Sequence, residues 1–397
     1  MYIYADETGN TGKDVFAKPE LYREGAILSV DDIDPIISPT LERFKRELGL
    51  ARIHAHEIPR DKVRQIGGAM LDALDGGTTW CFHLTEIHKP YLVTAKFVDT
   101  VFDSGENRGA RWLWYNIGFF RHTLCCLIDE MLTPDNRRAF WEAYLADDHE
   151  GVRTAVRNAR TYLNRFTSDR RLTAVVLDAF DFALQHPEEI TLMASRRKDS
   201  YKGHTPNMVA FTILMQAAHE FAEAHTSLPR AFYHDRQTEF ARSMCECMEI
   251  FARCSMRQGE ITRPWQPGDL KIKDYDLGKF SMPSSKDFGP LQAVDVLLWT
   301  MQREGEPGFE ALRQRVRERA ETFYISRGMS ELIRLAGLKM LAQRSFTDEE
   351  LLRGKELLDS MEADFRRNLR DFSRGPLSGS GVANYLGSPH DGPAQSG

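Results

Sequence analysis

The sequence predicts an α/β protein whose mixed five-stranded sheet is flanked by helices and carries a large helical insertion and a C-terminal helical appendage. Short stretches in which apolar and polar residues alternate, as they do in strands, occur before residue 89 and again after residue 227. Between these stretches apolar residues recur at helical spacing. Strands on both sides of a helical block indicate one sheet that is interrupted by an insertion.

We expect residues 1–88 and 228–305 to form the core that contains the sheet, residues 89–227 to form the insertion, and residues 306–374 to form the C-terminal helices. Residues 375–397 are rich in Gly, Ser and Pro and are expected to be disordered. The predicted strands span residues 2–7, 25–30, 78–85, 230–237 and 268–275. Within the core, one helix is predicted at residues 60–74 and another begins near residue 290.

The composition is that of a folded globular chain and excludes several other classes. Hydrophobic residues make up 42% of the chain and charged residues 28%. The formal net charge of -6 gives no overall basic field, so binding of nucleic acid would need a local patch or bridging metal ions. No apolar run is long enough to cross a bilayer, no secretory leader is recognisable, and the six cysteines lack paired metal-ligand spacing. We therefore expect a cytoplasmic location and no membrane partner.

Two adjacent carboxylates end the first predicted strand. Period-two alternation places Asp6 on one face of this strand and Glu7 on the other, and Thr8 and Gly9 follow. Because Asp is disfavoured inside strands, Asp6 is expected at a sheet edge, where a carboxylate can hold a cation or activate water. The alternative is a solvated Asp-Glu-Thr-Gly turn with no chemical role.

A second group of possible ligands precedes the helix at residues 60–74. His54, His56 and Glu57 lie within four residues of one another. They are either metal ligands or helix-capping residues, since a carboxylate suits the positive end of a helix dipole. His54 and His56 would also fit a metal-dependent amidohydrolase, but that class needs a barrel of repeated strand and helix units, which the long insertion does not supply.

Two further acids follow the insertion. Asp235 comes directly after an apolar run, as Asp6 does. Asp295 lies inside an otherwise apolar helix, one turn from Gln292. A carboxylate in an apolar helix is costly to bury unless it is paired or coordinated, so Asp295 is a further candidate ligand.

The densest basic cluster of the chain lies before the last predicted helix of the insertion. It contains Arg196, Arg197, Lys198 and Lys202. These side chains are either part of a solvated loop or a nucleic-acid-binding lid that contacts phosphates. The sequence leaves both interpretations open.

Four motifs occur in an order that resembles one known family. They are Tyr-Ala-Asp-Glu-Thr-Gly at the start of the chain, Ile-His-Ala-His-Glu-Ile before residue 59, Tyr-His-Asp-Arg-Gln before residue 238, and Ser-Lys-Asp-Phe-Gly-Pro-Leu-Gln-Ala-Val-Asp ending at residue 295. Together they resemble the family called domain of unknown function 3800, whose members open with Asp-Glu-Ser-Gly and close with Leu-Gln-x-Ala-Asp. That family is regarded as ribonuclease H-like, and the resemblance implies such a fold here.

The resemblance also implies a set of catalytic acids. Its members are Asp6, Glu7, Glu57, Asp235 and Asp295, and all except Glu7 would bind Mg²⁺ or Mn²⁺ directly. Glu7 matches the family's adjacent acid, which is either a ligand or a partner of one. Arg52 stands where the second motif of the family often has an acid, so either Glu57 or His54 is left as the ligand there.

Five further residues would support this centre. They are Thr8, His54, His56, Ser285 and Gln292. Thr8 replaces the usual Ser and keeps the hydroxyl group. Ser285 and Gln292 match positions that flank the final acid, and they would orient it by hydrogen bonding.

Such a centre implies hydrolysis of phosphodiester bonds. A pair of divalent ions about 4 Å apart can activate water and stabilise the leaving oxygen. We therefore expect a metal-dependent nuclease acting on DNA or RNA. The context in which members of this family occur suggests defence against mobile genetic elements. The alternative is a ribonuclease H-like module with incomplete ligands that binds nucleic acid or a partner protein. The C-terminal helices are a candidate surface for a protein partner.

Overall fold

The computed structural model describes residues 1–9, 12–192, 200–255 and 277–372. The described residues form the strands β1 (Tyr2–Thr8), β2 (Leu21–Ser29), β3 (Trp80–His88), β4 (Ala231–His234), β5 (Lys279–Ser281) and β6 (Ala320–Ile325). These strands pair in one sheet in the order β5-β4-β1-β2-β3-β6. The first strand of the chain therefore lies inside the sheet, between β4 and β2.

Helices surround this sheet. Before β3 lie α1 (Asp34–Leu48), a 3-10 turn at Ala55–Glu57, and α2 (Arg60–Gly77). Between β3 and β4 the described residues form α3 (Lys89–Phe102), α4 (Trp112–Asn116), α5 (Gly118–Met131), α6 (Pro134–Ala146), α7 (His149–Arg160), α8 (Leu163–Phe166), α9 (Arg170–Gln185) and α10 (Pro206–Ala224), with 3-10 turns at Pro187–Glu189 and Ser200–His204. After β4 follow α11 (Ala241–Ser255), α12 (Gly289–Met301), α13 (Glu310–Glu318), α14 (Arg327–Gln343) and α15 (Asp348–Phe372). Among the described residues, no helix is both long and apolar enough to cross a membrane.

Strand directions in the sheet are mixed. β2 runs antiparallel to β1 and to β3, whereas β4 runs parallel to β1. β5 is parallel to β4, and β6 is parallel to β3. This arrangement confirms the predicted α/β class with a mixed sheet flanked by helices.

The sheet has one strand more than the sequence predicts. Four predicted strands correspond to β1 to β4, while the predicted strand at residues 268–275 lies outside the described residues. β5 forms a few residues later, at Lys279–Ser281. β6 lies within residues 306–374, so the prediction that this part of the chain is entirely helical is wrong. The predicted tail at residues 375–397 also lies outside the described residues.

Local signals in the sequence account for several helix ends. Ser326 caps α14, and its hydroxyl accepts a hydrogen bond from the backbone N–H of Met329. Thr133 caps α6 in the same way, with Pro134 at the first helical position. Gly49 ends α1 in the left-handed conformation, with φ of 66°.

Each face of the sheet packs against its own helices. On one face, Tyr4, Ile27 and Phe82 are buried beneath α1, α2 and α12. On the other face, Ile3 and Leu28 are among the buried residues that pack with α10. α10 belongs to the predicted insertion but covers the sheet. Helices α3 and α5 to α9, which lie between β3 and α10 along the chain, contribute to a separate apolar core.

A glycine sets the distance between the sheet and α12. Gly25 pairs with Asp6 across β1 and β2. A Cβ atom at this position would lie 2.9 Å from Cζ of Phe82 and 3.1 Å from Cδ1 of Leu298. Because Leu298 lies one turn beyond Asp295, this close contact also fixes how near Asp295 comes to the end of β1.

We expect Gly25→Ala to lower the free energy of unfolding by about 1–3 kcal/mol, because the added methyl group overpacks the contact between β2 and α12. Chemical denaturation measures the effect. The matched control is Gly68→Ala in α2, where a Cβ atom would have no neighbour within 4 Å and alanine favours the helix. Equal stability of the two variants would show that the contact at Gly25 is loose.

Candidate functional site

A cleft of about 970 Å³ opens where β1 and β4 end, and Asp6, Asp235 and Asp295 all line it. The pairing of strands in the sheet explains the positions of Asp6 and Asp235. β1 and β4 are parallel neighbours in which Ala5 pairs with His234, so that the next residues, Asp6 and Asp235, leave the same edge together. The pairing continues to this point, because the backbone N–H of Asp235 donates to the carbonyl of Ala5 at 2.8 Å. α12 brings Asp295 to the same place from above the sheet.

A backbone N–H group holds one oxygen of each of these three carboxylates. The donors and acceptors are Glu7 N–H to Asp6 Oδ1 at 2.8 Å, Ser285 N–H to Asp235 Oδ1 at 2.8 Å, and Ala55 N–H to Asp295 Oδ2 at 2.7 Å. Within the described part of the chain, no donor contacts the second oxygen of any of the three. Each carboxylate is thus fixed through one oxygen and has the other available to a ligand in the cleft.

Negative charge accumulates around Asp6. Burial raises the pKa of this carboxyl group well above its usual range, and the charges of Glu7, Asp235 and Asp295 raise it further. Since these carboxylates repel one another in a shielded site, a bound cation would relieve the repulsion.

Gln292 ties three segments of the cleft together. Its Oε1 accepts from the backbone N–H of Ile53 at 3.0 Å, and its Nε2 donates to the carbonyl of Ser285 at 2.9 Å. Gln292 is buried. The segment that contains Ile53 also supplies the Ala55 N–H that holds Asp295, and Ser285 itself supplies the N–H that holds Asp235. Gln292 therefore positions the loops that carry the N–H donors.

The sequence predicts that Gln292 and Ser285 orient Asp295 directly, whereas in the structure Asp295 is bonded by Ala55 and His54, and Ser285 bonds Asp235.

The histidine motif divides between the cleft and the solvent. His54 and His56 line the cleft, and Nδ1 of His54 donates to Oδ2 of Asp295 at 3.1 Å. This hydrogen bond is the main reason why the pKa of His54 is raised. Glu57 does not line the cleft. It is half exposed and pairs with Arg52 at 2.7 Å, so the structure does not bring it to the other acids.

Glu7 and Thr8 also line the cleft. Beside Glu7 lies Glu24, a carboxylate that the sequence analysis missed. Glu24 pairs with Glu7 across β1 and β2 and is fully buried. The hydroxyl of Tyr22 donates to Glu24 at 3.4 Å. Burial raises the pKa of Glu7 to about 7 and that of Glu24 well above its usual range. Glu24 stands directly before the apolar run at residues 25–30, and this position is the signal that could have identified it.

Cations on the edge of the cleft were also missed. Arg236 and Lys286 are exposed and line it, and among the described residues neither pairs with a carboxylate. Arg303 lines it as well, with its guanidinium 4.0 Å from the ring centre of Trp299. Arg236 follows Asp235 and Lys286 follows Ser285, so adjacency to the predicted site residues could have pointed to them.

Of the predicted basic cluster, the structure describes Lys202 alone. Arg196, Arg197 and Lys198 lie outside the described residues. Lys202 does not line the cleft, and its Nζ donates to the backbone carbonyl of Glu239 at 2.9 Å.

The donor set of the cleft fits hard divalent cations, which prefer oxygen ligands. The three carboxylates are nevertheless not gathered around one point. Among the described residues, only His186, Glu188 and Glu189 have three such ligand atoms within 4.8 Å of one another, and they lie outside the cleft. Any cation between Asp6, Asp235 and Asp295 would therefore complete its shell with water or substrate oxygens, as Mg²⁺ does in proteins.

In metal-free protein we expect stability to fall as the pH rises from about 5 to 7. The folded state keeps the Glu7 proton up to about pH 7, whereas the unfolded state releases it near pH 4.3, so the folded state loses relative stability across this window. Denaturation in EDTA should show a fall on the order of 2 kcal/mol that is reduced in Glu7→Gln. Glu47→Gln, an exposed control on α1, should keep the full fall, and identical profiles for both variants would contradict the shift.

Comparison of this chain with protein-family models, with curated proteins and with solved structures found no match.

Proposed function

We propose that this protein is a ribonuclease H-like nuclease that uses divalent metal ions to hydrolyse phosphodiester bonds of DNA or RNA. One observation carries the proposal. Asp6, Asp235 and Asp295 all line one open cleft, each held through one oxygen by a backbone N–H and with the other oxygen available. Carboxylates held in this way are already oriented to bind a metal ion in the metal-free protein.

The positions of these acids in the fold support the ribonuclease H-like assignment. Asp6 ends the first strand, Asp235 follows the parallel neighbour of that strand, and Asp295 lies on a later helix that packs over β1 and β2. This is the carboxylate order of the superfamily that the sequence motifs resemble. The proposal needs no barrel, and the open six-stranded sheet gives no support to the amidohydrolase alternative.

Mg²⁺ or Mn²⁺ bound by these acids would lower the pKa of a coordinated water and offset the charge of the phosphate. The chain itself supplies the remaining functions. Asp295 holds the ring of His54 at the cleft, where a histidine with a raised pKa can donate a proton to a leaving oxygen. Arg236 and Lys286 provide positive charge at the edge, where neighbouring phosphates of a strand would pass.

A second function is favoured by the pair between Arg52 and Glu57. This pair leaves the second motif without a carboxylate in the cleft. If the three remaining acids do not suffice for hydrolysis, the same cleft would bind nucleic acid without cutting it. The edge cations would then carry the affinity, since phosphate contacts dominate nucleic-acid binding.

We expect Asp6→Asn and Asp295→Asn each to reduce cleavage on the order of a hundredfold or more, because each removes a charge that the transition state needs. The assay follows labelled single- and double-stranded DNA and RNA with Mg²⁺, Mn²⁺ or EDTA. Glu57→Gln is the matched control and should cut near the wild-type rate, since Glu57 lies outside the cleft. Circular dichroism checks that all three variants remain folded.

Cleavage by Asp6→Asn at the wild-type rate would overturn the nuclease proposal. Retention of nucleic-acid binding without cleavage under any metal condition would instead support the binding module. Loss of activity in Glu57→Gln would restore Glu57 as a functional residue, as the sequence motif predicts.

We also expect the double variant Arg236→Ala/Lys286→Ala to bind an oligonucleotide more weakly and with a flatter salt dependence. Each lost phosphate contact should reduce the slope of log K against log salt by about 1. Fluorescence anisotropy in Ca²⁺ across a salt series measures it. Lys202→Ala, which lies outside the cleft, is the control and should keep the wild-type slope.

A further inference from the structure

Two glutamates lie on the face of the sheet that α10 covers. In β1, strand alternation places Glu7 on the same face as Ala5, whereas Asp6 is on the other face. Glu24 pairs with Glu7 across β1 and β2 and shares its face with Ala26. Ala5 and Ala26 both pack in the apolar core that includes residues of α10. The two glutamates therefore meet on the opposite face of the sheet from Asp6.

Three buried neutral side chains adjoin these glutamates. The hydroxyl of Tyr22 donates to Oε2 of Glu24 at 3.4 Å. Nδ2 of Asn207, in the first turn of α10, donates to Oε1 of Gln237 at 3.2 Å. Burial raises the pKa of Glu7 and of Tyr22, and Gln237 interacts with both side chains and partly offsets each rise. We call these five side chains the buried polar group.

Several atoms of the buried polar group have no hydrogen-bond partner among the described residues. They are Oε2 of Glu7, Oε1 of Glu24, Oδ1 of Asn207 and Nε2 of Gln237. Buried polar atoms of folded proteins are normally bonded to another protein group, to ordered water or to an ion. Four such atoms in one connected group indicate a binding site for a small ligand.

The charge of the group indicates that this ligand is a cation. Burial raises the pKa of Glu24, the charge of Glu7 raises it further, and the hydroxyl of Tyr22 opposes the rise. No cationic side chain of the described residues acts on either glutamate. An anion would add to the repulsion between the two carboxylates, and a water molecule would leave it uncompensated. A divalent cation would balance both charges.

The available ligand atoms suit a hard divalent cation, which prefers oxygen. Each glutamate has one unpaired oxygen. The amide ends of Asn207 and Gln237 have the same shape in either orientation. Reversing both keeps a hydrogen bond between them and turns Oε1 of Gln237 toward Glu7. Because Glu7 also lines the cleft, an ion can reach the group from there.

We propose that Glu7 and Glu24 bind a divalent cation on the α10 side of β1, with an amide oxygen of Gln237 as a further ligand. This ion is separate from any ion held by the aspartates of the cleft. It would join β1, β2 and the segment between β4 and α11, and so hold the end of β1 that carries Asp6. The site requires no catalysis and does not rest on the nuclease proposal.

Equilibrium dialysis of the full-length protein against Mn²⁺ tests the proposal. We expect Glu24→Gln to bind about one Mn²⁺ per chain fewer than the wild type, because it replaces a charged ligand with a neutral one of the same shape. Asp235→Asn/Asp295→Asn changes only the cleft and should retain this ion. Glu47→Gln, at an exposed position of α1, is the matched control and should bind as much Mn²⁺ as the wild type.

Thermal unfolding gives a second readout. An ion that binds only the folded protein raises the Tm. Mn²⁺ should therefore raise the Tm of Asp235→Asn/Asp295→Asn relative to EDTA. Adding Glu24→Gln to this double variant should remove that rise. A cooperative unfolding transition in EDTA checks that every variant is folded.

Equal Mn²⁺ content in Glu24→Gln and the wild type would overturn the proposal and assign the buried polar group to shared protons or ordered water. So would an Asp235→Asn/Asp295→Asn protein that binds no Mn²⁺ and gains no Tm from it, a result that does not depend on whether Glu24→Gln folds. Both readouts are independent of cleavage, so a failure here is distinguishable from a failure of the nuclease proposal.

Discussion

The repulsion between carboxylates at the ends of β1 and β4 is the constraint on which the site depends. Asp6 is buried close to other acids, and both its burial and their charges oppose its ionisation. Such an arrangement is unfavourable in the absence of compensation. Backbone N–H groups supply part of that compensation by bonding one oxygen of each aspartate at the cleft. A bound cation would offset the remaining repulsion.

Holding these groups in place requires the helix above them to come close to the sheet. Gly25 permits this approach because it has no side chain between β2 and α12. Gln292 then connects α12 to two loops, one before the 3-10 turn at Ala55–Glu57 and one after β5. The carboxylates, the N–H donors and the packing contact thus form one unit, in which a shift of α12 would disturb every member.

Much of this could be predicted because the signals are local. An apolar strand running into Asp6, a second apolar run ending before Asp235, and a polar stripe on an apolar helix at Gln292 and Asp295 are all visible as patterns along the chain. The structure places all four residues at one cleft. Parallel pairing of the two strands explains why two such distant patterns meet at one edge.

Other features depend on information that the sequence pattern does not contain. His54, His56 and Glu57 are neighbours, and only the direction of the 3-10 turn decides that the histidines face the cleft while Glu57 faces Arg52. β6 was missed because its short run, Ala-Glu-Thr-Phe-Tyr-Ile, lies between charged amphipathic helices and gains its strand pairing only from β3. Whether Arg196, Arg197 and Lys198 contact nucleic acid stays a prediction.

The pairing of β1 with β4 has a consequence for the order in which the protein is made. Tyr2 pairs with Ala231 on β4, more than two hundred residues later in the chain, and the helix that carries Asp295 follows later still. Contacts between such distant parts of a chain form late in folding. During translation Asp6 therefore lacks the residues that complete its cleft. The cleft is therefore completed only after α12 has been synthesised and β4 has paired with β1.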